Sequence, residues 1–225
     1  MSKAMPVAPD QAPERTPKRA PVRNFLNRYL RPAIVLTLLL TVLTGLIYPG
    51  IVTGLAQLIF PYQANGSLVT VNGKVIGSSL IGQYWTSSRY FHGRPSATLS
   101  LSGTPQPYNA ENSTGSNLGP TNAALIQTVQ QRVAAWKAAF KKENLPVPPG
   151  SVPVDLVTAS ASGLDPDISI AAALYQVPLV AKARGLSDSV VRQLVMNNVT
   201  GRFLFIFGEP YVNVLQLNMA LDALK

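Results

Sequence analysis

One charge-free stretch limits what this chain can fold into. No Asp, Glu, Lys, Arg or His occurs between Arg31 and Lys74, and residues 33–49 are mostly aliphatic. About 20 apolar residues are enough for a helix to cross the ~30 Å hydrocarbon core of a bilayer. A buried helix of a soluble domain is the alternative, but such helices rarely run this far without a charge. We therefore predict a transmembrane helix and its outer continuation over residues 32–60.

Small and hydroxyl side chains recur along this helix. Thr41, Gly45 and Gly50 are candidates for packing against another membrane helix, because small residues allow close approach. The alternative is that glycine is simply common in membrane helices. The Thr44 hydroxyl can bond a carbonyl of its own helix, which makes it tolerable in lipid. Pro49 should kink the helix or end its spanning part.

The residues before the helix predict its orientation. Residues 1–31 carry a net charge of +5 and form a proline-rich tail, which predicts a disordered basic segment. Arg23, Arg28 and Arg31 lie close to the helix, and positive residues in that position stay in the cytoplasm. We therefore expect a cytoplasmic N-terminus and an extracytoplasmic soluble domain over residues 61–225. A cleaved signal peptide is the alternative, but the apolar run is too long for one.

Composition excludes several kinds of site. The chain has no cysteine and one histidine, His92, which rules out disulfides, thiol catalysis and imidazole metal clusters. The carboxylates of the soluble part have no metal-binding spacing, and no phosphate-binding Gly-Lys-Ser/Thr loop occurs. His92 is also the only candidate base for a serine nucleophile. The sequence predicts a protein with no self-sufficient active site and no metal.

Hydrophobic patterns in the soluble domain predict an α+β fold. Leu and Val alternate on both sides of Asn72-Gly73, a pair typical of the type I′ turn of a β-hairpin. Apolar residues at spacings of three and four predict a helix over residues 121–143, capped by Thr121. Residues 154–158 are predicted as a short strand.

The next helix should start where an N-cap residue is followed directly by a proline. Asp165 is predicted as its N-cap and Pro166 as its first residue. Asp165 and Asp167 could instead form an acid–base pair, but capping is the commoner role. The helix should kink or break at Pro178 and end at Gly185.

The elements of residues 187–224 are predicted from a capping serine and from runs of apolar residues. Ser187 should cap a helix that continues through residues 190–197. The apolar run at residues 203–207 predicts a buried strand. Residues 212–224 are predicted as a strand, a helix, or one after the other.

Two irregular segments are the predicted partner-facing surface. The loops of residues 86–120 and the turn of residues 159–167 are polar, and binding residues tend to lie on such loops. The candidate residues are Arg94, Ser116, Asn117, Ser160, Ser162 and Asp165. We expect substitution of Arg94, Asn117 or Asp165 to weaken assembly with a partner without changing the melting temperature.

A second function class remains open at this point. Ala181, Gly185 and Val191 have the spacing of a helix-turn-helix, and Arg184 and Arg192 lie nearby. The alternative function is therefore that of a membrane-anchored helix-turn-helix DNA-binding protein. It would require the domain to lie in the cytoplasm, which the positive residues before the helix oppose.

Seven groups of residues, distributed from one end of the chain to the other after the tail, carry a resemblance to a known family. They are Arg31-Pro-Ala33 with Gly45-Leu-Ile-Tyr-Pro49; Val52-Thr-Gly-Leu-Ala-Gln57; Tyr90-Phe-His-Gly-Arg-Pro-Ser96; Ser116-Asn-Leu-Gly-Pro-Thr-Asn122; Val157-Thr-Ala-Ser-Ala-Ser-Gly-Leu-Asp-Pro166; Val180-Ala-Lys-Ala-Arg-Gly185; and Gly208-Glu-Pro-Tyr-Val-Asn-Val-Leu-Gln-Leu-Asn218. With these the sequence resembles the C subunit (KdpC) of the bacterial high-affinity potassium-transporting P-type ATPase. The head, residues 1–21, looks like an extension beyond the common pattern.

The resemblance implies a non-catalytic accessory subunit of the bacterial inner membrane. Its partners would be a potassium-binding channel-like subunit, an ATP-hydrolysing subunit and a small peptide subunit. The family is described as a catalytic chaperone that raises the ATP affinity of the hydrolysing subunit, with ATP held in a transient ternary complex.

The resemblance also implies a nucleotide element related to Leu-Ser-Gly-Gly-Gln. Leu101, Ser102 and Gly103 match it, but Thr104 and Pro105 come before Gln106, which weakens a direct nucleotide role. ATP is cytoplasmic, whereas the charges place the domain outside. An outside domain can still change ATP affinity if it binds one transport state more tightly than another.

Overall fold

The structure is a computed structural model that describes residues 26–224. The chain forms two compact units, one ending at Pro61 and the other beginning at Tyr62. Most of the predicted disordered tail lies outside the described residues, as does Lys225. The helices and the two small antiparallel sheets confirm the predicted α+β class.

The first unit contains one continuous apolar helix, α1, over Leu26–Ile59. Its 34 residues are long and apolar enough to cross a membrane, and none of the residues Leu26–Ile59 is buried. This exposure is not what the core helix of a soluble domain would show. The α-helical parts are Arg31–Val42 and Tyr48–Ile59.

Helix α1 passes through Pro49 without ending. The turn just before it, Leu43–Ile47, is π-helical, as is the first turn, Leu26–Leu30. A proline removes one hydrogen bond and its ring crowds the carbonyl four residues earlier, here that of Gly45. A wider π turn relieves that crowding. The Thr44 hydroxyl donates to the Leu40 carbonyl at 2.7 Å, as the sequence predicts.

A short helix, α2 (Pro61–Ala64), begins at the last residue of the first unit, and the predicted hairpin of the second unit follows it. Strands β1 (Leu68–Val71) and β2 (Lys74–Ser78) pair antiparallel around Asn72 and Gly73. Both turn residues have positive φ, 50° and 76°, as a type I′ turn requires. The hairpin prediction is therefore confirmed.

The longest helix of this unit is α3 (Ala123–Lys142). The predicted cap, Thr121, is wrong by one residue, because Asn122 has the extended backbone of a cap and its side chain accepts from the Ala124 N–H. The predicted apolar stripe is confirmed: Phe140 is fully buried, and Val129, Val133 and Trp136 pack against the core.

The second unit also contains a three-stranded antiparallel sheet. Its strands are β3 (Asp167–Ser169), β4 (Val199–Thr200) and β5 (Tyr211–Asn213), in the order β3-β5-β4. Val212 at its centre is fully buried and pairs with Ile168 and Val199. The predicted strand at residues 154–158 is wrong, since Val154–Leu156 form a 3-10 turn.

The central helix is α4 (Ile170–Arg184), followed by α5 (Asp188–Asn197). The predicted start of α4 at Pro166 is wrong, because residues 167–169 are extended in β3 and Ser169 caps the helix. The Asp165 side chain instead accepts from the N–H of Asp167 in a local turn.

Helix α4 continues through Pro178, so the predicted break there does not occur. Eight residues of α4 are buried, among them Ala172, Val177 and Val180, and this packing holds the helix together. Gly185 ends it in the left-handed conformation at φ 69°, and Ser187 caps α5, both as predicted.

Residues 203–207 are not the buried strand that their composition predicts. They form an exposed tight loop between β4 and β5, and Leu204 and Phe205 have positive φ, which a strand excludes. After β5 the chain continues as α6 (Val214–Ala223), so the strand-then-helix prediction for residues 212–224 is confirmed.

Candidate functional site

The loops of residues 86–120 are anchored to the core by two buried side-chain amides. Gln176 on α4 donates to the His92 carbonyl at 3.1 Å and accepts from the His92 N–H at 2.8 Å. Asn218 on α6 does the same for Phe91, at 3.0 and 2.8 Å. Each amide is 1% exposed. The backbone at these two residues is therefore paired as it would be beside a β-strand.

An ion pair ties these loops to the turn of residues 159–167. A guanidinium nitrogen of Arg94 lies 3.1 Å from the Asp165 carboxylate, and a second one donates to the Ala159 carbonyl at 3.4 Å. The Tyr108 hydroxyl donates to the Arg94 carbonyl at 2.7 Å. Burial, together with the Asp165 charge, raises the pKa of Tyr108 to about 12, so it remains a donor.

Two hydroxyl hydrogen bonds form a second close contact between the loops of residues 86–120 and the turn of residues 159–167. The Ser96 hydroxyl donates to the Gly163 carbonyl at 2.7 Å, and the Ser113 hydroxyl donates to the Ser162 carbonyl at 3.0 Å. Gly163 has φ +67°, and a Cβ there would lie 2.5 Å from Thr98. Only glycine fits both the backbone and the space. The predicted loop segments thus form one clamped surface.

The six predicted surface residues divide into two groups. Ser116 and Asn117 are exposed, as is Ser162, whose hydroxyl accepts from the Leu164 N–H. Arg94 and Asp165 are about a quarter exposed and hold the clamp, while Ser160 is 5% exposed and accepts from the Gly163 N–H. Their role in binding partners stays a prediction.

An open groove of about 400 Å³ lies beside the clamp. Its walls include four rings and two guanidinium groups, from Tyr84, Trp85, His92, Trp136, Arg94 and Arg132. The Trp85 indole N–H and the Arg94 Nε–H are buried and find no hydrogen-bond partner among residues 26–224. Such a groove can take an aromatic or acidic side chain.

Most of the residues that line the groove could not be assigned to one site from the sequence. Arg132 and Trp136 face it from one side of α3, where they donate to the carbonyls of Val157 and Leu156. Their spacing of four residues is the one signal that places them together. Burial lowers the pKa of His92, and the Ser87 carbonyl opposes that shift. Burial also lowers the pKa of Arg132.

The predicted nucleotide residues lie on a separate turn. Leu101 is 86% exposed, and the hydroxyl of Ser102 contacts that of Ser100 at 2.8 Å. Gly103 has φ +81°, and the Gln106 N–H donates to the Thr98 carbonyl at 3.0 Å. None of these residues lines the 400 Å³ groove. A nucleotide role for them stays a prediction.

The predicted packing residues of α1 lie on an exposed surface. Thr41, Gly45 and Gly50 are all exposed, and apart from the neighbouring residues and nearby backbone of α1 itself, a Cβ at either glycine would meet no atom of residues 26–224 within 4 Å. Their role in packing against another helix stays a prediction.

Helices α4 and α5 do pack across a short turn, as the helix-turn-helix spacing predicts. The side chain of Arg184, however, is 9% exposed and bound within the domain. It bonds the Asp222 carboxylate at 2.7 Å and the Arg89 carbonyl at 2.8 Å, and lies 4.7 Å above the Tyr90 ring. It is not free to contact a phosphate group.

Fold and site together define a membrane-associated protein that carries a small α+β domain with a clamped loop surface. The sequence profile of KdpC, described as the K+-transporting ATPase c chain, matches residues 30–223. The chain belongs to this KdpC family. It is therefore a subunit of a potassium-transporting ATPase. Membership in this family gives no support to the DNA-binding alternative.

Individual relatives agree over most of the chain. A potassium-transporting ATPase KdpC subunit of Rhodopseudomonas palustris (strain BisB18) is 60% identical over 190 residues, covering 82% of this chain and 92% of the relative. The KdpC subunit of Bradyrhizobium diazoefficiens is 57% identical over 186 residues, covering 80% and 89%. That of Burkholderia cenocepacia is 56% identical over 181 residues, also covering 80% and 89%.

Proposed function

We propose that the chain is a non-catalytic accessory subunit that binds the other subunits of a potassium-transporting ATPase through its clamped loop surface. The observation that carries the proposal is the Arg94–Asp165 clamp, which joins two irregular segments from distant parts of the chain. Irregular polar loops fixed on a rigid framework are a common form of binding surface. Fixing them in advance reduces the entropy lost on binding.

The partners are the potassium-binding channel-like subunit, the ATP-hydrolysing subunit and the small peptide subunit. The aromatic groove beside Arg94 would receive an anchoring side chain from one of them, since interfaces concentrate their binding energy in such pockets. Relatives of this chain are named as subunits of a potassium-transporting ATPase, which supports such an assembly.

The domain lies outside the inner membrane and the N-terminus lies in the cytoplasm. From there the domain raises the ATP affinity of the hydrolysing subunit as a catalytic chaperone, without needing to touch ATP. It does so by binding more tightly to the transport state that holds ATP well. By linkage, ATP then favours the same state for the domain.

The test is assembly of the complex with a Ser116→Arg variant. A large cation on the exposed loop should reduce the amount of the other subunits that copurify with this chain, while the melting temperature stays unchanged. The matched control is Ser151→Arg, because Ser151 is also an exposed loop serine but lies outside the two segments. If both variants copurify the partners equally well, the clamped surface is not the interface.

A further inference from the structure

One loop of the soluble domain exposes five consecutive apolar side chains. It consists of residues 203–207 and is called the phenylalanine loop here. The exposed fractions are 72% for Phe203, 63% for Leu204, 94% for Phe205, 72% for Ile206 and 61% for Phe207. Contiguous exposed apolar surface of this kind marks a contact with a membrane or another protein.

The backbone of the phenylalanine loop is hydrogen-bonded within the loop. Phe203 and Phe207 exchange two N–H to carbonyl bonds of 2.9 Å each. The N–H of Phe205 donates to the Arg202 carbonyl at 3.1 Å, and that of Ile206 donates to the Phe203 carbonyl at 3.2 Å. Polar backbone groups that enter lipid must be satisfied internally, and this loop meets that requirement for four of its N–H groups.

All five residues of the loop are apolar and well exposed, with no polar side chain among them. Leu204 and Phe205 have φ of 51° and 63°, so the chain reverses sharply at the tip. At the base, Arg202 binds both carboxylate oxygens of Glu209, at 2.8 and 3.0 Å. A protein pocket usually receives a single anchor within a polar rim, whereas lipid accepts apolar groups from every direction.

The chain itself keeps this domain near a lipid surface. Helix α1 ends at Ile59, and the soluble unit begins at Tyr62. Only Phe60 and Pro61 separate the apolar helix from this unit, so the chain tethers the unit to any membrane that α1 spans.

We propose that the phenylalanine loop inserts into the boundary between headgroups and acyl chains of the bilayer. It acts as a second, reversible contact that limits how the domain can rotate on its helical anchor. Arg202 and Glu209 mark the depth at which the polar surface resumes. Apolar segments at this boundary bury only a shallow layer, so the contact is weaker than that of α1.

The test uses the full chain in vesicles of phosphatidylethanolamine and phosphatidylglycerol. Because the chain has no cysteine, a Phe205→Cys variant can carry one environment-sensitive fluorophore. We expect its emission to shift to the blue, and brominated acyl chains to quench most of its intensity. An Ile206→Cys variant repeats the measurement at the neighbouring position.

The matched control is Leu101→Cys, an apolar residue that is 86% exposed at the tip of a polar turn. Its label should be neither shifted nor quenched, which excludes insertion driven by the fluorophore. If the labels at positions 205 and 206 behave like that at 101, the proposal is wrong. A blue shift that appears only with partner subunits present would also overturn it, in favour of a protein pocket.

The result does not depend on the proposed function. Either orientation of the chain in a vesicle presents the domain to lipid, and partner subunits are absent from the basic measurement. A failure of subunit assembly and a failure of loop insertion are therefore distinguishable.

Discussion

The side-chain amides of Gln176 and Asn218 hydrogen-bond the backbone N–H and carbonyl of His92 and Phe91, respectively, as a neighbouring strand would in a sheet. Both amides are almost fully buried, and their four bonds to the backbone of Phe91 and His92 are between 2.8 and 3.1 Å. A buried donor or acceptor that loses its partner costs about 1–3 kcal/mol. The position of the loops above the core therefore depends on two side chains that are far away in sequence.

Replacing Gln176 with leucine tests this anchor. We expect the Gln176→Leu variant to lose about 2–4 kcal/mol of the free energy of unfolding, because the N–H and carbonyl of His92 would be left unpaired. The measurement is urea unfolding of the full chain in detergent, followed by the fluorescence of the two tryptophans, both of which lie in the soluble domain.

The control is the same change at an exposed helical position, Gln193→Leu. Among the described residues, the exposed Gln193 side chain bonds Asn197 alone, on the surface of α5, so its loss should change stability by no more than about 0.5 kcal/mol. Equal effects at positions 176 and 193 would contradict the anchoring role.

Sequence reasoning found the loops but not what holds them. Arg94 and Asp165 were both predicted as surface residues, yet they pair across 71 positions of sequence, which no local pattern shows. Gln176 stands in a stretch of α4 that is otherwise almost all apolar, and that isolation is the signal that marks it. Its two partners on the backbone of His92 carry no sequence signal.

At the scale of single elements, helix α4 continues through Pro178, although proline disfavours a helix interior. A proline in a helix interior costs about 3 kcal/mol relative to alanine, since its hydrogen bond is lost and its ring crowds the preceding turn. Pro178 is half-buried, and its neighbours Val177 and Leu179 are buried in the core. Packing of this central helix therefore outweighs the local preference of one residue.

A Pro178→Ala variant should consequently be more stable. We expect a gain of about 1–3 kcal/mol in the free energy of unfolding, because alanine restores the hydrogen bond and keeps the helix. Urea unfolding of the full chain measures it. The control, Pro149→Ala in an exposed loop, should instead lose up to about 1 kcal/mol, because the unfolded chain gains freedom. A loss at position 178 would show that its ring packing matters more than the hydrogen bond.

Long elements were predictable and short ones were not. Helices α3 and α5 and the hairpin carry enough residues, or a distinctive turn, to be read from the chain. Strands β3 and β5 have three residues each, too few for an alternating pattern to stand out. Residues 203–207 have the composition of a buried strand, but the two positive φ angles turn them into an exposed loop.

At the scale of the whole molecule, the charges are unevenly divided between tail and domain. The basic residues of the segment 1–31 predict a cytoplasmic N-terminus and an outside domain. A Leu101→Cys variant should therefore react with a membrane-impermeant thiol reagent in intact cells, since this side chain is 86% exposed. A Ser2→Cys variant, the control from the tail, should react only after lysis.

The reverse pattern of labelling would place the domain in the cytoplasm. The orientation argued from the arginines would then be wrong, and direct contact between the domain and ATP would become the leading mechanism. The phenylalanine loop would still face lipid in that case, on the inner leaflet.

The contact between Asn218 on α6 and Phe91 spans 127 positions of sequence. During synthesis the loop segment leaves the ribosome long before the helix that fixes it. A nascent chain from which α6 has not yet emerged therefore lacks one of the two amides that hold the clamped loops on the core. Recruitment into a larger assembly through that surface would thus favour chains in which α6 has already docked, which links the anchor to the timing of assembly as well as to stability.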